Sequence, residues 1–354
     1  MQLALTDPEY TQPARRPALD RLLLRFIRDE RDLPFLHLML SASAVLFPAT
    51  VVMFLPGMFR WWMAPLYWAV LLGLFLDRFI LMLHNTSHRA LFRKPYRLLN
   101  QYIPWVLGPF FGETPETYYS HHMGMHHAEN NMYDDLSSTL RYQRDRLDHF
   151  AHYFFRFFTI GVVELSMYFA RRRRWSLMWR AVLGELSYFA VVGTLLWLNW
   201  QAALTVFVVP FFFTRFAMMA GNWSQHAFID ASDPANHYRN SITCINTRYN
   251  RRCFNDGYHI GHHVRANRHW TEMPADFRNN AERYAREGAV VFEGVDYFQI
   301  WMLLMTRQHR RLASHMVDLG EPRTLDQKEA IIRERIRPVL PRPSTDTTPA
   351  LQPA

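Results

Sequence analysis

The sequence predicts an all-α integral membrane protein, with four transmembrane helices in two hairpins joined to a large cytoplasmic body. Three observations predict it: apolar runs of spanning length come in pairs, arginines flank them on one side, and histidines gather where the spans end. A transmembrane helix needs roughly 20 predominantly apolar residues. Residues 35–55, "FLHLMLSASAVLFPATVVMFL", carry no formal charge, and after the short link "PGMFR" residues 61–83 return across the membrane. Asp77 and Arg78 lie near the far end of that second run, where they can pair or reach the interface. Residues 181–200 and 201–223 make a second hairpin, and Pro210 is a kink that neighbouring helices tolerate.

Charge sets the orientation. Arg15, Arg16, Arg21, Arg25, Arg28 and Arg31 precede the first hairpin and Arg171 to Arg174 precede the second, whereas Arg60 is the one basic residue in the two opposite loops. The excess of arginine marks the cytoplasmic side, which puts both termini and the long middle segment inside and the chain in the cell inner membrane. The topological role of the four arginines outweighs the alternative, a docking patch for an acidic electron donor or anionic lipid. Residues 150–170 are also long and apolar, but carry His152, Arg156 and Glu164. A crossing there would put the four arginines outside and split the histidines between compartments, so this segment is expected to lie in the interface or against the bundle.

The remaining elements follow. Residues 20–31, capped by Asp20, read as an interfacial amphipathic helix, and residues 297–305 as another. Residues 102–112 are too short to cross and read as a re-entrant or buried piece. The organisation is thus a tail and interfacial helix (1–34), first hairpin (35–83), cytosolic segment (84–180), second hairpin (181–223), cytosolic body (224–335) and a Pro/Thr-rich disordered tail (336–354). Residues 1–19 read as loosely ordered, with no cleavable signal peptide. The net charge of +9 points to a membrane surface rather than nucleic acid, because the arginines sit beside apolar runs and no nucleic-acid motif accompanies them. Cys244 and Cys253 offer no disulfide framework and read as reduced thiols.

Histidine carries the chemistry. "HNTSH" supplies His84 and His88, "HHMGMHH" supplies His121, His122, His126 and His127, "NWSQH" supplies Asn222 and His226, and "HIGHH" supplies His259, His262 and His263. Ten of 17 histidines fall in these four stretches, too many for surface accident. Helical periodicity puts His84 with His88, His122 with His126, Asn222 with His226, and His259 with His262 and His263 on shared faces. Adjacent histidines point about 100° apart, so each doublet can serve two metals. One ion cannot use nine imidazoles; two can, with four or five each. Imidazole suits zinc, copper, iron and nickel, and two redox ions at a membrane boundary suggest dioxygen chemistry on a lipid. Each ligand also needs an acceptor for its outer nitrogen; nearby candidates are Glu129, Asp134, Asp135, Asp230, Asp256 and Asn255. His37, His149, His152, His237, His309 and His315 lack this spacing and read as ordinary structural histidines.

The order HxxxH, HxxxHH, NxxxH, HxxHH, with the boxes placed after membrane hairpins, resembles the membrane-bound fatty acid desaturase and hydroxylase family over roughly residues 35–275. That resemblance implies a helical cap over the four spans that carries the boxes, a tunnel for an acyl chain and a di-iron centre at the cytosolic face. It implies that His84, His88, His122, His126, His127, His226, His259, His262 and His263 bind iron, and that Asn222 holds a water beside one ion. His121 competes with His122, which stands one helical turn from His126 and is preferred. His121, Asp134, Asp135, Asn255, Asp256 and His269 are possible supporting groups around the ligands. The three-residue spacing between His122 and His126 is more typical of hydroxylase and alkane-oxidising relatives, although desaturases also show it.

The function expected is an oxidoreductase: a membrane acyl-lipid desaturase using two irons, dioxygen as co-substrate and two electrons. A hydroxylase of the same family is the nearest alternative and a membrane di-zinc hydrolase the alternative from another class. A metal transporter would place its histidines mid-span. No fused electron-carrying segment is visible, so a separate ferredoxin or small b-type cytochrome is the expected partner.

Overall fold

The structure, a computed structural model, describes residues 4–340. It is mostly helical, and among the described residues five helices are long and apolar enough to cross a membrane: Glu30–Phe54, Met63–His88, Leu147–Arg171, Trp175–Leu198 and Trp200–Gln225. The first two and last two of these cover the expected spans. Their connections meet at one end of the bundle, where the Asn199 amide donates to the Met53 carbonyl (3.2 Å) and the Trp61 and Trp200 rings lie 5.7 Å apart. Trp61, Trp62, Trp197 and Trp200 are exposed there, as aromatic side chains at a membrane boundary are. The opposite end carries the histidines.

The third long helix, Leu147–Arg171, is tied at both ends to the histidine-bearing segment. Near its start, the Tyr153 hydroxyl donates to the Ser137 carbonyl (3.2 Å) and receives the Asn222 amide (2.7 Å). Near its end, the Tyr168 hydroxyl donates to Glu129 (2.6 Å), and Arg172 just beyond pairs with Glu129 and Asp134. Arg156 and Glu164 neutralise one another along the helix (2.7 Å).

Four expectations are corrected. The chain is not purely helical: β1 (Ile242–Ile245) pairs in parallel with β2 (Val290–Glu293), because the β-branched runs "ITC" and "VVF" are buried side by side. The amphipathic helix expected over 20–31 is short, Ala18–Leu23. Beyond it, backbone bonds from Arg28 to Leu91 and from Arg93 to Phe26 turn the chain into an antiparallel bridge. The N-terminal segment is pinned rather than loose: buried Asp7 accepts from the Tyr258 hydroxyl (2.6 Å) and the Asn246 backbone N–H (2.8 Å). Of the tail expected to be disordered, residues 341–354 lie outside the described residues, while Ile336 and Val339 are buried and Val339 bonds to the Leu140 carbonyl. Residues 102–112 do form a partly buried piece of short helical turns, with Ile103, Leu107 and Phe111 inside. Tyr297–Met305 is a helix as expected, packed on the fifth long helix through Trp301 and Phe216 (5.4 Å).

One close approach fixes how the bundle carries the segment before the HxxxHH box. The fourth long helix meets Pro115 at Gly184, where an added Cβ would overlap the Pro115 carbonyl. Gly184→Ala should therefore cost about 1–3 kcal/mol, the usual range for overpacking, and lower the unfolding midpoint in detergent. Gly193→Ala on the same helix, with open space around its Cα, should not lower it.

Candidate metal centre

The histidine stretches sit at helix ends and short turns, and those ends converge. His84 and His88 fill the last turns of the second long helix, His226 caps the fifth, and His259, His262 and His263 lie on the short helix His259–Val264. His122–His126 is a π-helical turn. Nine imidazoles gather into two groups that can each hold a metal ion: His84, His88, His122, His127 and His262, and His126, His226, His259 and His263. Within each group one ring nitrogen per residue lies within 4.8 Å of the others.

The contacts inside the groups run between Nε2 atoms. In the first, His88–His122 is 2.9 Å, His84–His262 3.0 Å, and His127 lies 3.1 Å from both His122 and His262. In the second, His259–His263 is 3.0 Å and His226–His259 3.2 Å. A neutral imidazole carries one proton, so nitrogens with two such neighbours cannot satisfy all these contacts as hydrogen bonds. Two nitrogens each about 2.1 Å from one ion and at right angles lie about 3.0 Å apart. The spacing and the all-imidazole donor set fit ligands around a common ion. Burial, reinforced by neighbouring imidazoles, pushes His122, His259, His262 and His263 well below their ordinary pKa range. They are held neutral, the form that coordinates metal.

The doublets divide as expected: His126 and His127 serve different groups, as do His262 and His263. The α-helical pairing of His122 with His126 is not realised. A π turn closes i to i+5, which sets His122 beside His127 and leaves His126 to the other group. The residue inserted in HxxxHH is absorbed by that turn. His121 joins neither group; its side chain is half-buried, and its Nε2 is buried without a hydrogen-bond partner. Asn222 also joins neither, and its amide donates to the Ser137 carbonyl (3.0 Å) and Tyr153 hydroxyl.

Outer nitrogens are oriented by acceptors. His126 Nδ1 donates to Asp135 (2.7 Å) and His84 Nδ1 to Asp256 (3.2 Å), so two of the named carboxylates orient histidines of the two groups. Although burial opposes it, His126 and Ser137 hold the Asp135 carboxyl below its ordinary range. Asp134 pairs with Arg172 at the surface, Glu129 meets Tyr168 and Arg172, and Asp230 binds Ser232 and Arg335. Asn255 donates to the Trp270 and Pro8 carbonyls, and His269 to buried Asp32 (3.0 Å); the structure brings neither to the cluster. The acceptor for His226 was not legible: it is the Asn240 backbone carbonyl (2.9 Å). Nor was Tyr118, whose ring stacks on His122 (5.1 Å) from outside any box.

A cavity of about 460 Å³ runs beside both groups. His84, His122, His126 and His259 line it together with apolar Leu76, Ile80 and Met219.

Long apolar helices ending in two histidine groups beside a mostly apolar cavity define the class: a membrane-type protein with two clusters that could each hold a metal ion. The family profile described as fatty acid desaturase matches residues 59–295, and the chain belongs to that family, a family of enzymes. Neither curated proteins nor solved structures gave a match.

Asp135 offers a direct check on the second group. Asp135→Asn retains every imidazole but weakens the acceptor behind His126, and metal affinity should fall about 10- to 100-fold. Metal titration of Asp134→Asn should match wild type.

Proposed function

We propose that the chain is a membrane fatty acyl desaturase whose nine grouped histidines hold two iron ions. The observation that carries the reading is that both imidazole groups line one mostly apolar cavity, within a chain of the desaturase family. Iron would supply the dioxygen activation needed to break unactivated C–H bonds. In the overall reaction dioxygen accepts four electrons, two from the acyl chain and two from a donor. The acyl chain loses two hydrogens to become a double bond, and two protons come from solvent with the donor's electrons. The four hydrogens leave with the two oxygen atoms as two waters.

The protein's own residues bind, orient and exclude water. Asp135, Asp256 and the Asn240 carbonyl hold three imidazoles with Nε2 turned inward. Leu76, Ile80 and Met219 confine a hydrocarbon chain beside the ligands, and Ala217 and Met218 of the fifth long helix extend that apolar lining. Asn222, which lines the same cavity, holds a water next to the ligands. A separate ferredoxin or small b-type cytochrome delivers the electrons.

The four-span arrangement belongs to the same reading, with both termini and all boxes on the cytoplasmic side of the inner membrane and the boxes in a helical cap. It is supported by the tethering of the third long helix at both ends to residues near the histidines. Reporter fusions at Arg173 and at the C-terminus should both read cytoplasmic; opposite readings would mean that the third helix crosses.

The chemical test combines metal analysis with lipid mass spectrometry of an expressing host. Two irons per chain and acyl chains lacking two hydrogens are expected. A product that gains one oxygen would replace desaturation by hydroxylation. Zinc without iron in an active preparation would overturn the oxygenase reading in favour of a hydrolase.

A further inference from the structure

Beside the larger cavity lies a smaller one of about 140 Å³. The two share the Tyr118, His121, Phe157 and Met218 side chains as a common boundary. The small chamber has aromatic walls, including Phe158, Phe189 and Phe211, yet it is not simply a hydrocarbon pocket. Glu113, Glu185 and Arg215 line it too. Arg215 Nη2 is already committed, donating to Glu185 (2.9 Å) and to Thr114 Oγ1 (3.3 Å). Glu113 is left outside that pair, 3% exposed, with Oε1 buried and without a hydrogen-bond partner. His121, on the boundary of the two cavities, likewise has its Nε2 buried and unpartnered. Two residues that each carry an unsatisfied polar atom therefore line one small, mostly apolar chamber.

Such atoms cost free energy unless an occupant completes them. A plain methyl end would leave both unpaired. A hydroxyl both donates and accepts, so one group can serve a carboxyl and an imidazole together. We propose that this chamber is a subsite for a hydroxyl group on the substrate, held by Glu113 and His121, while the attached hydrocarbon runs through the larger cavity past the histidine groups. Burial pushes the Glu113 carboxyl up, against the pull of Arg215 and with that of Glu185, toward the neutral form that can donate as well as accept. The preferred substrate is thus a hydroxylated long-chain lipid rather than an unadorned hydrocarbon chain. The inference rests on the proposal that an acyl-type chain occupies the larger cavity.

The test is a binding comparison on the purified full-length chain in detergent. Hexadecanol and hexadecane are supplied at matched mole fraction in the micelle, and the rise of the unfolding midpoint reports binding. Wild type should favour the alcohol by about 10- to 100-fold, since a site built for a hydroxyl discriminates strongly against an analogue that lacks it. Glu113→Leu should abolish the preference and Glu113→Gln, which still donates and accepts, should keep most of it. Equal binding of alcohol and alkane by wild type would overturn the subsite, as would a preference that survives Glu113→Leu. Should Glu113→Leu not fold, His121→Phe takes its place with the same expected loss. Binding needs no turnover, so the outcomes separate. A chain that prefers the alcohol but forms no double bond fails as a desaturase and keeps the subsite, and an active chain indifferent to the hydroxyl does the reverse.

Discussion

Nine imidazoles drawn from four separate stretches of chain must meet around two points, and the architecture depends on that convergence. Buried imidazole is costly when its nitrogens lack partners. Here the inward nitrogens face one another at metal-ligand spacing, and Asp135, Asp256 and the Asn240 carbonyl occupy three of the outward ones. The cluster is stabilised when ions occupy it, because binding to a site absent from the unfolded chain is also folding free energy. Without that contribution, the mutual approach of so many neutral rings would be hard to sustain.

Holding the four stretches together falls to buried polar contacts outside the groups. Arg144 is fully buried and donates to the Ala227, Thr139, Leu140 and Tyr142 carbonyls and to the Arg335 carbonyl. A guanidinium presents five donors in a rigid fork, so one side chain ties the chain after His126 and after His226 to the C-terminal helix. Thr139 adds a bond to the His226 carbonyl (2.5 Å). The Asp32–His269 pair does similar work between the first long helix and the segment after the last box. His269 is therefore a brace for the fold, at a distance from the ligands.

Two of the four π-helical turns among the described residues lie at the candidate site. The π turn at His122–His126 redirects two neighbouring imidazoles to different groups. A second, Leu71–Leu76, interrupts the second long helix on the cavity wall, where Leu72 and Leu76 face the interior. Such turns add a residue without breaking the helix, which rotates everything beyond them. That rotation sets which side chains face the cavity.

The sequence by itself determined the long apolar helices and the four histidine stretches, because span length and HxxxH spacing are local properties of the chain. It also determined that each doublet would divide between two groups, since adjacent residues on a helix cannot face the same way. Tertiary structure decided the rest. The pairing of His122 with His127 depends on a π turn, and regular periodicity assumes an α-helix. The choice of Asp135 and Asp256 over Asp134 and Asn255 depends on which neighbours of a box point inward, and residues one apart differ completely in that respect. Asn240 acts through its backbone carbonyl, which every residue possesses and no sequence pattern marks. The pinned N-terminus, the β1–β2 pair and the chamber around Glu113 join positions many tens of residues apart, and distance along the chain carries no record of such contacts.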